Sequence, residues 1–328
     1  MITIIPEDQI RSMFSMAEAI AAVEEAYRNY AAGWIRVPDR ITLPVRGEEH
    51  SCIFIPACHH VRPYYCLKQA SSFPGNPAKG ISTVLSDIHL YSAETGEPLA
   101  VIAANHLTAL KTGAASAVAT RYLSSPKPLV LALIGCGVQA RTQLAGIAAV
   151  RPIKEIRLFD MKREQAAKMK DEIESRGAGS AVTIFADANP CVSDADVICT
   201  TTTSAVPVFA GRFLKKGCHI NAVGSFTPAM QEIDTETVVM ADKVVVDVAA
   251  VAWEIAGDLL VPLSRGAIDR NKIYAELGTI VNGTRPGRES ESEITIYESL
   301  GFAALDLAVA IAVYEKSIEL GLGIEQAL

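Results

Sequence analysis

The chain has 328 residues, 50% of them hydrophobic, 20% charged and 6% aromatic; the length points to two domains, and the composition excludes a disordered or collagen-like chain. Thirty Lys and Arg stand against 37 Asp and Glu, a net charge of −7, and no basic block is present, which excludes a nucleic-acid binder that works by neutralising phosphates. A mean hydropathy of +0.24 asks for a large core or for a subunit interface that buries apolar surface.

The N-terminus reads Met1-Ile2-Thr3-Ile4-Ile5-Pro6-Glu7-Asp8 without a cationic segment, so no signal peptide is expected. Residues 7–32 carry a helical period that ends at Gly33. Short β-like runs follow at Arg40–Pro44, Ser51–Pro56, Tyr64–Gln69, Thr83–Tyr91 and Pro98–Ala103. Turn signals separate them at Arg46-Gly47, Pro74-Gly75-Asn76-Pro77 and Glu94-Thr95-Gly96-Glu97. They predict an antiparallel sheet preceded by one helix. Leu107–Leu123 returns to an Ala-rich helix, and Ser124-Ser125-Pro126-Lys127-Pro128 reads as a linker.

Beyond the linker the pattern alternates strand and helix, which implies βαβ units and a parallel sheet. Leu129–Ile134 is the continuous apolar run that a central parallel strand needs. A helix follows from Val138, then a strand at Glu155–Phe159, a helix at Lys162–Arg176 and a strand at Val182–Phe185. Val197–Cys199, His219–Val223 and Lys243–Val248 are further strands. The last helix, past Gly301, has no strand partner of its own and is expected to dock on the first domain. Residues 1–123 and 302–328 then form one discontinuous domain, and residues 124–301 the other. Gly301–Tyr314 is interrupted by Asp306 and too short to cross a bilayer, so no membrane partner is expected.

Seven cysteines form no CxxC pair and read as reduced thiols of a cytoplasmic protein. Cys52, Cys58, His59, His60 and Cys66 cluster, but their spacing matches no common zinc pattern, and no metal is expected. Glu254 and Asp258 read as surface acids.

The nucleotide signal is stronger. Gly135-Cys136-Gly137-Val138-Gln139-Ala140 fits G-x-G-x-x-A directly after a strand and at the start of a helix. The first glycine makes the tight turn, the second lets backbone approach a pyrophosphate, and the small Ala140 permits close helix–strand packing. Asp160 ends the second strand, where a carboxylate accepts ribose hydroxyls and repels a 2′-phosphate. This favours NAD(H), while Lys162 and Arg163 leave NADP(H) open. Thr200, Thr201 and Thr202, and later Val223, Gly224 and Ser225, follow strand ends where ligands of open α/β sheets lie.

Several motifs in order resemble the ornithine cyclodeaminase/mu-crystallin family. They are Lys68 with Phe73-Pro74-Gly75-Asn76-Pro77, then Leu110-Lys111-Thr112-Gly113-Ala114-Ala115-Ser116-Ala117, then the glycine loop. Asn221-Ala222-Val223-Gly224, Gly287-Arg288-Glu289-Ser290 and Ile294-Thr295-Ile296-Tyr297-Glu298-Ser299-Leu300-Gly301 continue the series. The resemblance implies a homodimer with a Rossmann-type, doubly wound α/β domain inserted into a discontinuous α+β substrate and dimerisation domain. It implies a small imino or amino acid as substrate, since members include ornithine cyclodeaminases, alanine dehydrogenases and reductases of cyclic imino acids.

By the same resemblance Arg40 pairs with the substrate carboxylate, to which a guanidinium fork is suited. Lys68 matches the active-site lysine, and Lys111 stands where many members have an arginine. Thr112 and Gly113 are expected to meet the cofactor phosphates from the helix start. Ornithine cyclodeaminases have an aspartate two residues past Val-Gly, and this chain has Phe226 there. A phenyl ring neither accepts a proton nor holds an ammonium, so a neutral ring beside Phe226 is favoured over ornithine.

The Gly224–Glu232 run resembles the pyrroline-2-carboxylate reductase branch. The expected reaction is NAD(P)H-dependent reduction of Δ1-pyrroline-2-carboxylate, or of its six-membered homologue, with Arg40, Lys68 and Lys111 at the substrate. Lys68 acts either as proton donor or purely as a carboxylate partner. Alanine dehydrogenase, ornithine cyclodeaminase and a non-catalytic mu-crystallin-like binder stand as alternatives. Asp306 is open between a helix-surface or interface role and one orienting a neighbouring group.

Overall fold

The computed structural model describes residues 1–45, 50–177 and 179–327. The turn expected at Arg46-Gly47 lies outside these residues. By its internal contacts the chain divides into two compact units, Met1–Lys111 with Phe302–Leu328, and Thr112–Gly301. The division runs through the helix Asn105–Leu123 rather than after it, and Ser124–Pro128 falls inside the second unit.

The first unit is built on strands β1 (Ile2–Ile5), β2 (Ile35–Arg36), β3 (Ile41–Pro44), β4 (Ser51–His59), β5 (Tyr64–Ser72), β6 (Val84–Ser92) and β7 (Pro98–Ala103). The sheet runs in the order Ile324–Gln326, β1, β7, β6, β5, β4, β2, with β3 on the other half of β4. It is not wholly antiparallel, because β1 lies parallel to β7. The apolar Ile2–Ile5 run, too short to show a period, is an inner strand of the sheet.

The helical stretch of residues 7–32 is two helices, Glu7–Met13 and Met16–Ala31. The break comes at Ser15, whose hydroxyl accepts from the Glu18 amide while the Glu18 carboxylate accepts from the Ser15 amide. Such a reciprocal box starts a new helix. Helices Met16–Ala31 and Ala303–Leu320 pack on each other, and the latter also covers β4, β5 and β6. Tyr27 and Tyr30 close against the Phe302 ring at centroid distances of 5.7 and 4.9 Å, which fixes the start of the last helix.

The second unit holds β8 (Leu129–Ile134), β9 (Ile153–Phe159), β10 (Ala181–Ile184), β11 (Val197–Thr200), β12 (His219–Ala222), β13 (Lys243–Val246), β14 (Ile273–Glu276) and β15 (Thr295–Glu298). All are parallel, in the order β10-β9-β8-β11-β12-β15-β13-β14. Every residue of β8 is buried: Leu129, Leu131 and Leu133 join one core and Val130, Ala132 and Ile134 the other. That double burial is what helices on both faces of a parallel sheet demand. The chain turns from β8 to β9 and β10 on one side and to β11 and β12 on the other, so the sheet order reverses beside β8. This is a doubly wound α/β fold.

Candidate active site

One candidate site is a cradle at the carboxyl ends of the parallel strands of the second unit. Gly135 has φ +91°, and a Cβ there would stand 2.9 Å from Thr202 Cγ2 and 3.1 Å from the Thr201 carbonyl oxygen, so only glycine turns the chain here. Its amide donates to the Phe159 carbonyl at 2.8 Å. Gly137 caps the helix Val138–Val150 without a side-chain bond, and a Cβ on it would meet nothing within 4 Å. The first amides of that helix therefore open on free space, the geometry that accepts a phosphate. Val138 is exposed, Gln139 half-buried and Ala140 buried against the sheet core.

Asp160 is tied to the glycine loop. Its Oδ2 accepts from the Cys136 amide at 2.7 Å and its Oδ1 from the Lys162 amide at 2.8 Å. One carboxylate thus fixes the glycine loop while keeping lone pairs for hydroxyls. Lys162 and Arg163 are exposed beside it. Thr201 Oγ1 donates to the Gly135 carbonyl at 2.9 Å. Val223 and Gly224 are half-buried and Ser225 is buried, while Phe226 is half exposed. These residues fit a dinucleotide.

Thr112 and Gly113 stand elsewhere than expected. The helix begins at Asn105, so both lie in its interior rather than at its start. A Cβ on Gly113 would stand 2.3 Å from the Thr142 carbonyl oxygen, and one on Gly146 would stand 2.3 Å from the Gly113 carbonyl oxygen. Gly113 is where two helix backbones touch.

A separate candidate site is a buried ion cluster in the first unit. Lys68 sits at the centre of β5, in register with Ile55 and Ile88, on a face where an apolar residue would be ordinary. Its Nζ donates to Asp306 Oδ1 at 2.9 Å and to Thr108 Oγ1 at 2.8 Å. Lys111 Nζ donates to the other oxygen, Asp306 Oδ2, at 2.6 Å. Lys68, Lys111 and Asp306 are 4%, 4% and 1% exposed, so each charge depends on the others.

Burial, opposed by Asp306 and assisted by Lys111, pulls the Lys68 ammonium down to about 8. Burial alone would raise Asp306, but the two ammoniums hold it below the usual carboxylate range. Two cations against one anion leave a net positive charge with uncommitted N–H groups, a receptor for one carboxylate. Arg40 is exposed, and its guanidinium has no partner among the described residues.

Asp306 is thus neither a helix-surface nor an interface acid. It is the shared counter-ion, and as the first charge in an apolar helical run it carried a signal of that role. Asp258 also departs from expectation: it is 0% exposed. Its Oδ1 accepts from the Glu232 and Ile233 amides at 2.7 and 2.9 Å, and its Oδ2 has no partner. Glu232 and Glu298 are equally buried, and neither Glu298 oxygen has a partner. Burial, with Asp258, Glu232 and Asp247 nearby, pushes Glu298 well above the carboxylate range, while burial raises Asp258 to about 7. Among the described residues no group of three or more His, Cys, Asp or Glu could hold a metal ion.

The chain matches the model of the ornithine cyclodeaminase/mu-crystallin family over residues 3–320. It belongs to that family. A Δ1-pyrroline-2-carboxylate reductase of Bacillus cereus, similar along its whole length, is 37% identical over 320 residues, 98% of each chain. The structure of Thermococcus litoralis Δ1-pyrroline-2-carboxylate reductase in complex with NADH and L-proline matches with a TM-score of 0.95 at 34% identity, over 99% of this chain and 100% of that one. An archaeal alanine dehydrogenase dimer with bound NAD matches with a TM-score of 0.94 at 37% identity, over 100% and 99%. The ornithine cyclodeaminase/mu-crystallin fold thus extends over the whole of this chain.

Proposed function

We propose that this chain reduces Δ1-pyrroline-2-carboxylate to L-proline with NADH. The observation that carries the reading is the full-length likeness to a structure that holds NADH and L-proline. The buried ammonium pair supports it, because an imino acid brings one carboxylate and one basic nitrogen to such a cluster. Phe226 supports it too, since no carboxylate stands at that position to hold the side-chain ammonium of ornithine.

Arg40, Lys68 and Lys111 anchor the substrate carboxylate, and Asp306 keeps both ammoniums from drifting apart. A bound NADH supplies a hydride from nicotinamide C4. The imine carbon accepts it when the ring nitrogen is protonated, so one hydride and one proton convert C=N to CH–NH. Lys68, drawn down toward neutrality, delivers that proton. The second unit holds the dinucleotide through Gly135, Gly137 and Asp160, with NADH preferred because Asp160 repels a 2′-phosphate.

The first unit carries the substrate and self-association. Ile41, Leu43, Val45, Ile81 and Leu85 are exposed at one end of its sheet, apolar surface suited to a second copy of the chain. The seven free thiols support a cytoplasmic location; among the described residues no helix is long and apolar enough to cross a membrane.

The test is NADH oxidation followed by absorbance with pyrroline- and piperideine-2-carboxylate, each also offered with NADPH. Faster turnover of the five-membered ring with NADH is expected. A second reading, alanine dehydrogenase, draws on the archaeal neighbour; turnover of pyruvate plus ammonia, and not of the cyclic imines, would favour it.

A further inference from the structure

At the carboxyl ends of β11 and β12 four hydrogen-bond donors converge on one side chain that the motifs do not single out. Glu232 Oε1 accepts from the Thr202 amide at 2.5 Å and from Thr202 Oγ1 at 2.7 Å. Its Oε2 accepts from Thr200 Oγ1 and from the Gly224 amide, both at 2.7 Å. Each oxygen thus takes one backbone amide and one hydroxyl, an arrangement that suits an acceptor on both atoms. The loops are pressed together around it: a Cβ on Gly224 would stand 2.1 Å from the Thr202 carbonyl oxygen and 2.5 Å from Glu232 Oε1. From behind, Asp258 accepts from the Glu232 amide at 2.7 Å and holds the backbone that carries the carboxylate.

A dinucleotide on this sheet begins over Asp160 and the glycine loop, at the ends of β9 and β8. It crosses the point where the strand order reverses, so its second half extends over the ends of β11 and β12. We propose that Glu232 is a positioning residue for the nicotinamide half of the cofactor: it clamps Thr200, Thr202 and Gly224 into one surface and fixes where the nicotinamide lies. The proposal rests on the dinucleotide reading above.

The test compares wild type with Glu232→Gln for the dissociation constants of NADH and of ADP-ribose, which keeps the adenosine, pyrophosphate and second ribose but lacks nicotinamide. The glutamine amide must face either the Thr202 or the Gly224 amide, donor against donor. NADH is expected to weaken about ten-fold, with ADP-ribose changed by less than about two-fold. Equal loss for both ligands, or no loss for either, overturns the proposal and leaves Glu232 a fold residue. Should Glu232→Gln fail to fold, Thr200→Val removes one hydroxyl donor at nearly constant volume; NADH weakened while ADP-ribose is not supports the clamp, and unchanged NADH affinity defeats it. Wild-type protein that binds neither ligand instead defeats the dinucleotide reading itself.

Discussion

In the first unit two ammoniums share one carboxylate, whereas in the second unit Glu232, Asp258 and Glu298 are buried without an ion pair to any cation among the described residues. Both clusters take ionisable groups out of water, but they meet the cost differently. Lys68, Lys111 and Asp306 remain charged because opposite charges lie 2.6–2.9 Å apart. The acids instead lean on amide and hydroxyl donors, and where donors run out, at Glu298, the group keeps its proton. A cluster of the first kind suits the carboxylate binding and proton delivery proposed above. One of the second kind holds backbone loops in place.

Removing a cation from the first cluster tests this contrast most severely. Lys68→Ala leaves Lys111 and Asp306 as a one-to-one pair, so the fold should persist. Steady-state turnover of the imine is expected to fall about 10³-fold; retention of more than a tenth of the activity would remove Lys68 from proton delivery.

Removing the anion should instead be felt in stability. Asp306→Asn leaves two buried ammoniums facing each other, and urea unfolding should show a loss of about 3–5 kcal/mol. A loss below about 1 kcal/mol would mean that the cluster is not the closed ionic unit described here.

The acidic cluster predicts a pH effect of defined sign. Asp258 and Glu298 hold protons in the folded chain that the unfolded chain has released; the Asp258 contribution is complete below about pH 4 and is lost as pH rises to about 7, and the Glu298 contribution has the same sign. Wild type should therefore lose stability from this cluster as pH rises from about 4 to about 7. Glu298→Gln, which cannot ionise, should reduce that loss by on the order of 1 kcal/mol. Parallel pH profiles for the two proteins would contradict the buried, protonated Glu298.

Smaller still is the effect on cofactor choice. Asp160→Ser removes the charge proposed to face the ribose and leaves Lys162 and Arg163 nearby. The ratio of kcat/KM for NADPH over NADH should rise about ten-fold, and an unchanged ratio would assign Asp160 to loop support alone.

Which features can be read from sequence follows from how local their causes are. The glycine loop, β8 and the acid after β9 are legible because turn, apolar run and carboxylate lie within about thirty residues of one another. Strands β14 and β15 escape notice, and length is not the reason, since β10 to β13 are also four residues each. The pairing of Lys68 with Asp306 spans 238 residues of sequence, so resemblance finds the lysine and leaves its counter-ion open. Asp258 reads as a surface acid because a lone carboxylate in the first turn of a helix is usually solvated. Its burial is decided by the Glu232 and Ile233 amides, which arrive from a distant loop.

The most direct test of the proposed reaction follows the hydride itself. Δ1-pyrroline-2-carboxylate is incubated with the protein and NADH deuterated at both hydrogens of nicotinamide C4, and the product is examined by mass spectrometry and NMR. L-proline carrying one deuterium at Cα is the expected product. Absence of labelled proline, with labelled alanine formed from pyruvate and ammonia under the same conditions, would contradict it.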